Sequence, residues 1–482
     1  MKKRLLSLLL AVLFVTALLS ACGSSGESAD PGDVPADEQP AEEQEPAETE
    51  PEKTFADFPK QDLGGASLRL GDTEQYDIYR FSIRDEVNGD ILNDAIFNSL
   101  RAVEEKLNVA IRPVLYADPG QLCNAITAGD DSCDIATGQD LAMANIALNG
   151  YTMDISHMEQ LDFTAPWWPA HSVSSYLING NMLLFSNYMS YFGVSRARAW
   201  FINKQLAANY GLTVPYADVF AGTWTLDKLK TMIGSVYEDS NGNGSVDIDD
   251  TVGYVNQNIF ICMQPSMGIQ TFAPNSEGKL EFVFDLERAT VALEKMYAML
   301  YETKGVLQAD TAAGRQDQTV FQAGKSLFYY DSLGMTETVL RDTEVEYGIL
   351  CTPKLDEAQP DYIAGYTDYS HAVPKTVTDE NLVGWGIEAL TASGYYTIIP
   401  AFVDVSLTNK YVYDEDSAKV IYLIGEKMYV ELAYSFSAKM ANTFHNLLNS
   451  SNPGKDIASY YAANQQSDIA LAEELNAQYG GE

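Results

Sequence analysis

Between residues 66 and 140 the chain alternates β-patterned runs with helical ones, and that order limits the fold more than any other feature of the sequence. Ser67-Leu68-Arg69-Leu70 alternates as a strand, and residues 93–108 put Ile96, Leu100, Val103 and Leu107 on one helical stripe. Residues 109–115 read as a second strand, with Pro113 suited to a strand end or sheet edge. A helix over 119–128 then leads to a third strand at Asp134-Ile135-Ala136-Thr137. This succession with short connections predicts a right-handed βαβαβ unit in a parallel sheet, hence an α/β fold. Ligands of such sheets sit beyond the carboxyl ends of the strands, which gathers Gly71-Asp72, Tyr116-Ala117-Asp118 and Gly138-Gln139-Asp140 around one crevice.

The N-terminus speaks to location. Lys2, Lys3 and Arg4 precede an apolar run over 5–18, too short for a comfortable permanent span and laid out like a secretory signal. Leu19-Ser20-Ala21-Cys22 resembles the bacterial lipobox, in which the thiol is diacylated and the chain is cut just before it. Residues 1–21 are therefore expected to be removed and Cys22 to be lipidated. Two or three acyl chains at roughly 0.8 kcal/mol per buried CH₂ would hold it almost permanently. Residues 23–53 are rich in acids and prolines, with no aromatic residue and, beyond alanine, one aliphatic, Val34. Residues 22–53 thus read as an extended, lipid-anchored acidic tether on the extracellular face of a bacterial cytoplasmic membrane.

Roughly 430 residues remain, more than one compact core usually supports, so two lobes are expected. The net charge is −38, and losing the three cations of the signal takes it to −41. Such a chain repels nucleic acid and anionic lipid, leaving the lipid anchor as its membrane contact. Cys123 and Cys133 are close enough in sequence to form a disulfide, which the sequence leaves open, and no cysteine spacing suits zinc. The histidines form no HExxH motif, no GxSxG exists, and Gly324-Lys325-Ser326 lacks the first glycine of a phosphate loop because Thr319 stands there. The reading is a non-enzyme; a surface glycosidase is the alternative, since the separation of two carboxylates is a property of the fold.

Residues 239–250 supply oxygen at every second position, as a calcium loop does. Asp239, Asn241, Asn243, Ser245, Asp247 and Asp250 are the expected ligands of a structural Ca²⁺, with Gly244 at the sharp turn and Asp250 where the longer glutamate usually stands. An Asn-Gly-rich hairpin without metal is the alternative.

In order, the lipobox, the tether, the βαβαβ unit, Trp200-Phe201-Ile202-Asn203-Lys204, Gly222-Thr223-Trp224-Thr225-Leu226-Asp227, the run from Phe321 through Gly324-Lys325-Ser326 to Phe328, and Val373-Pro374-Lys375 resemble the family 1 extracellular solute-binding proteins, from about residue 64 onward. The resemblance implies a type II periplasmic-binding fold: two α/β lobes, each a mostly parallel sheet flanked by helices, closing on a ligand. It implies a monomer that carries a carbohydrate to ABC transporter permease subunits, with a peptide or another polar solute as the alternative. The first lobe would span 54–195, the second 196–365 with the calcium loop inserted, a return to the first 366–412, and helices mainly on the second 413–482. Asp140 falls where the family's maltose binders place a sugar-binding aspartate, and Asp331 and Ser332 where a second-lobe loop contacts ligand. Leu333-Gly334-Met335 stands where those binders have a tryptophan, so maltodextrin is not implied. Asp72 joins the site from the first strand. Trp167, Trp168, Tyr366 and Tyr369 are the ring candidates for stacking on a sugar, with Trp385 behind them. Trp167-Trp168 lead because Pro166 and Pro169 flank them, while Trp200 and Trp224 read as core.

Overall fold

Strand β1 (Ala66–Asp72) lies between β2 (Val109–Leu115) and β3 (Ile135–Gln139) and runs parallel to both. The computed structural model describes residues 54–73, 83–260, 262–366, 369–407 and 414–480; Cys22, the signal and the tether lie outside them. Pro113 pairs with Leu70 from β2 at the sheet edge, where a missing N–H is tolerated. Helix α1 (Ile91–Leu107) starts where the Asp90 carboxylate accepts the N–H of Asn93 and ends at Asn108, whose φ of 49° suits asparagine. Its stripe of Ile96, Leu100, Val103 and Leu107 is buried, each side chain contributing about 1.5–3 kcal/mol. Helix α2 (Pro119–Thr127) is capped by Asp118 and carries proline at its first position.

The second lobe holds β4 (Arg198–Asn203), β5 (Thr251–Asn256), β6 (Val306–Gln308), β7 (Ser326–Ser332) and β8 (Tyr347–Cys351). The order is β8-β4-β7-β5, with β6 also on β5. β5 is parallel to β6 and β7, but β4 runs antiparallel to both its neighbours, so this sheet is mixed rather than mostly parallel. Trp200 is fully buried there among Tyr254, Phe328 and Tyr330, and buried Trp224 donates its indole N–H to the Cys351 carbonyl at 3.0 Å. Both are core, as expected. All seven residues of β7 are buried, because helices or strands cover both faces.

After β8 the chain returns: β9 (Tyr369–Ala372) pairs antiparallel with β3, and the helix Glu380–Ser393 packs on α1 and β1. The helix Glu415–Glu426 packs on β8, and Ile457–Gly480 on the second-lobe helix Leu286–Tyr301. Cys123 and Cys133 are both free thiols, so the disulfide is not made; Cys133 is buried against Gly71, where a Cβ would collide with its sulfur.

Where β9 meets β3, His371 lies opposite Thr137, whose hydroxyl is 2.7 Å from Nδ1. Burial pushes this imidazole down to about 3. The unfolded chain, titrating near 6.5, therefore takes the proton first, and stability falls as pH drops from about 6.5 towards 3. From pH 7 to pH 5 the wild type should lose about 2 kcal/mol more than His371→Gln, as measured by urea melts. Equal losses would contradict a neutral buried imidazole.

Candidate functional site

β1 and β3 end side by side, and the acids there are almost fully covered, Asp72 2 % and Asp140 3 % exposed. Gly138 keeps this end tight: a Cβ would strike the Thr73 hydroxyl and come within 3.1 Å of the Met143 sulfur. Asp140 opens helix α3 (Asp140–Leu148) close to two buried tyrosines, Tyr176 and Tyr366. Burial, and then the charge of Asp140, push both phenols upward; Ser186 works against this at Tyr366. Both hydroxyls keep their protons and can donate.

Tyr366 ends the strand Ala364–Tyr366, which pairs with Met428–Val430. This small sheet touches β4 of the second lobe and the helix Ala170–Tyr176 of the first. Tyr369 begins β9 opposite Gln139, so the chain is back on the first-lobe sheet within three residues of Tyr366. The outward crossing is the short helix Phe192–Arg196. The Phe192 ring lies 5.6 Å from that of Tyr369, and the Arg196 guanidinium sits 6.0 Å from the same ring. Tyr191 stacks on Phe192 at 4.9 Å.

Glu337 joins this cluster from the second lobe, after a turn packed on Phe192–Arg196. Burial pushes its carboxyl up to about 7, opposed by the Tyr191 hydroxyl, reinforced by Asp90, and opposed again by Arg196 and Arg341. The two crossings thus bring aromatic rings, buried hydroxyls and carboxyls from both lobes together. Tyr191, Arg196 and Glu337 were missed in the sequence, where Tyr191 is one of 29 tyrosines and Glu337 one of 68 acids. The usable signal was position: Tyr191-Phe192 immediately precede the strand that enters the second lobe.

Three other expectations meet a different geometry. Asp331 is an ion-pair hub: it accepts from Arg198 at 2.7 Å, Arg315 at 2.6 Å, the Tyr329 hydroxyl at 2.9 Å and the Ser332 N–H at 2.7 Å. Burial opposes its charge, yet Arg198 and Arg315 hold the carboxyl below the ordinary range. Ser332 is equally buried, opposite Arg198. Trp168, 3 % exposed, packs on Phe163 and Phe185 and donates to Glu388 Oε2 at 2.9 Å, while Trp167 donates to Oε1 at 2.8 Å. Trp167 and Trp168, expected to stack on a sugar in the cleft, are instead held by Glu388 within the first lobe. Glu388 fixes both rings; Trp168 becomes core, and Trp167 lines a separate first-lobe cavity beside Phe58 and Trp385.

Residues 239–250 join the antiparallel pair Tyr237–Glu238 and Thr251–Val252. Asp239 accepts the N–H groups of Gly242, Asn243 and Gly244, Asp247 accepts the Asn241 and Asn243 amides, and buried Asp250 accepts those of Ser240 and Asp247. Lys325 latches the loop, donating to the Asp249 carbonyl at 3.0 Å. The oxygens of all six expected ligands share this one loop, but among the described residues no three His, Cys, Asp or Glu side chains are gathered as a metal-ligand group.

No protein-family model matches the sequence, and no curated protein matches it. Solved structures do. Mycobacterium tuberculosis UspC superposes with a TM-score of 0.53 at 15 % identity, over 84 % of this chain and 99 % of that one. A Rhizobium etli sugar transporter in an open conformation gives 0.54 at 13 %, over 87 % and 100 %. The chain has the two-lobed periplasmic-binding fold of ABC-transporter substrate-binding proteins.

Asp331→Asn should destabilise the fold by about 3–5 kcal/mol, because Arg198 and Arg315 lose the charge they share in a buried site. Denaturant melts measure this, and a loss below about 1 kcal/mol would contradict the hub.

Proposed function

We propose that this protein captures a carbohydrate between its lobes and delivers it to the permease of an ABC importer, binding it without turnover. The observation that carries the reading is a pair of groups beside the crossing between two α/β lobes: Tyr366 next to Asp140, and the rings of Tyr369, Phe192 and Tyr191 in a chain of contacts that reaches Glu337. Flat rings match the apolar face of a pyranose, and protonated phenols beside carboxyls serve hydroxyls that both donate and accept. The sugar transporter with the same fold supports this solute class. Cys22 would anchor the chain at the extracellular face through the tether, and no helix among the described residues is long and apolar enough to cross a membrane. Asp72 and Asp140 would line the first-lobe side.

A thermal-shift panel of mono- and oligosaccharides tests the reading. A sugar at about 100 times its Kd should add about 2.7 kcal/mol to stability and be recovered uncut. Shifts with peptides alone, or cleavage of the sugar, would overturn it.

The loop at 239–250 is proposed to hold a structural Ca²⁺ on Asp239, Asn241, Asn243, Ser245, Asp247 and Asp250, whose hard oxygens suit calcium over zinc. EDTA should lower the melting temperature of the wild type and leave the double variant Asp239→Ala/Asp247→Ala unaffected. Identical wild-type melts in EDTA and in calcium would contradict the site.

A further inference from the structure

The first lobe contains a second built cavity, of about 380 Å³, that the capture site does not use. Its walls are the rings of Phe58, Trp167, Trp385 and Tyr396. Phe58 stands edge-on to Trp167 at 6.4 Å and 61° and to Trp385 at 6.3 Å and 88°, and Trp167 stands edge-on to Tyr396 at 6.1 Å. The floor is Glu388, 4 % exposed, held by the indole N–H groups of Trp167 and Trp168. Two exposed acids, Asp57 and Asp162, stand at the rim, and among the described residues no lysine, arginine or histidine lines the cavity.

Besides the neutral Thr54, Pro59 and Gln160, the lining consists of rings and carboxylates, both of which attract positive charge. Ring faces carry negative quadrupole potential, and the three carboxylates add to it. A neutral polyol can donate hydrogen bonds to these carboxylates but supplies no balancing charge. We infer that this first-lobe cavity is a binding site for a small alkylammonium ion, with Phe58, Trp167, Trp385 and Tyr396 around its methyl groups and Asp57, Asp162 and Glu388 around its charge.

The probe is choline, compared with its neutral isostere 3,3-dimethylbutan-1-ol, on the full-length protein at physiological salt, where the general negative field is screened beyond about 8 Å. Calorimetric titration should give saturable choline binding accompanied by a change in tryptophan fluorescence, with the alcohol at least tenfold weaker. The rim variant Asp57→Asn/Asp162→Asn should weaken choline about tenfold and leave the alcohol and the melting temperature unchanged. Trp385→Leu should abolish choline binding; if that variant does not fold, the rim variant decides. Equal binding of choline and the alcohol, an unaffected rim variant, or no saturable choline binding would overturn the proposal.

Discussion

The antiparallel pairing of β9 with β3 ties a chain that has already built a second lobe back onto the first. Every feature of the proposed capture site follows from that return. It sets Tyr369 opposite Gln139, one residue before Asp140, and puts Tyr366 on the small sheet that touches both lobes. It also brings Tyr369 against Phe192 on the outward crossing. A one-residue slip of β9 would turn Tyr369 and His371 to the opposite face of the sheet. The buried Thr137–His371 contact helps to fix the register, because the neutral imidazole finds its partner there in one alignment only.

Individual buried carboxylates are compensated in different ways, and both lobes contain a paired one, the first through Asp134 and Arg69. In the second, Asp331 gathers Arg198 and Arg315, so a carboxylate within the fold balances guanidinium groups from two other elements. In the first, Glu388 has no cation among the groups acting on it and is held by two indole donors; burial raises its proton affinity, and the Trp168 and Trp167 hydrogen bonds resist the rise. At the crossings, Glu337 is raised to about 7 by burial and sits between Tyr191 and Arg196. The firmly paired Asp331 is structural, while the less fully compensated Glu337 and Glu388 belong to the two proposed sites.

Local patterns in the sequence were enough to place the frame. Pro113 marked the sheet edge, Asp118-Pro119 a helix start, and the stripe from Ile96 to Leu107 the face of α1, because each rests on neighbours within a few residues. The site was less legible, because its partners are remote. Asp331 read as an open ligand contact until Arg198, 133 residues earlier, closed on it. Trp167 and Trp168 read as a stacking platform until Glu388, 221 and 220 residues later, took both indole N–H groups. Two prolines beside two tryptophans do indicate a loop, but they say nothing of what that loop packs against. Tyr369 lies on the return strand and Tyr366 ends a separate short strand, and nothing in the sequence shows what either ring packs against.

Capture as proposed requires that the two lobes move relative to one another when a solute enters, about crossings that include the short helix Phe192–Arg196. Small-angle X-ray scattering of the purified protein, with and without a saturating oligosaccharide that it retains uncut, measures that motion directly. A smaller radius of gyration with the sugar, reversed when the sugar is dialysed away, is the predicted result. Retention of the sugar with an unchanged scattering profile would contradict closure at these crossings.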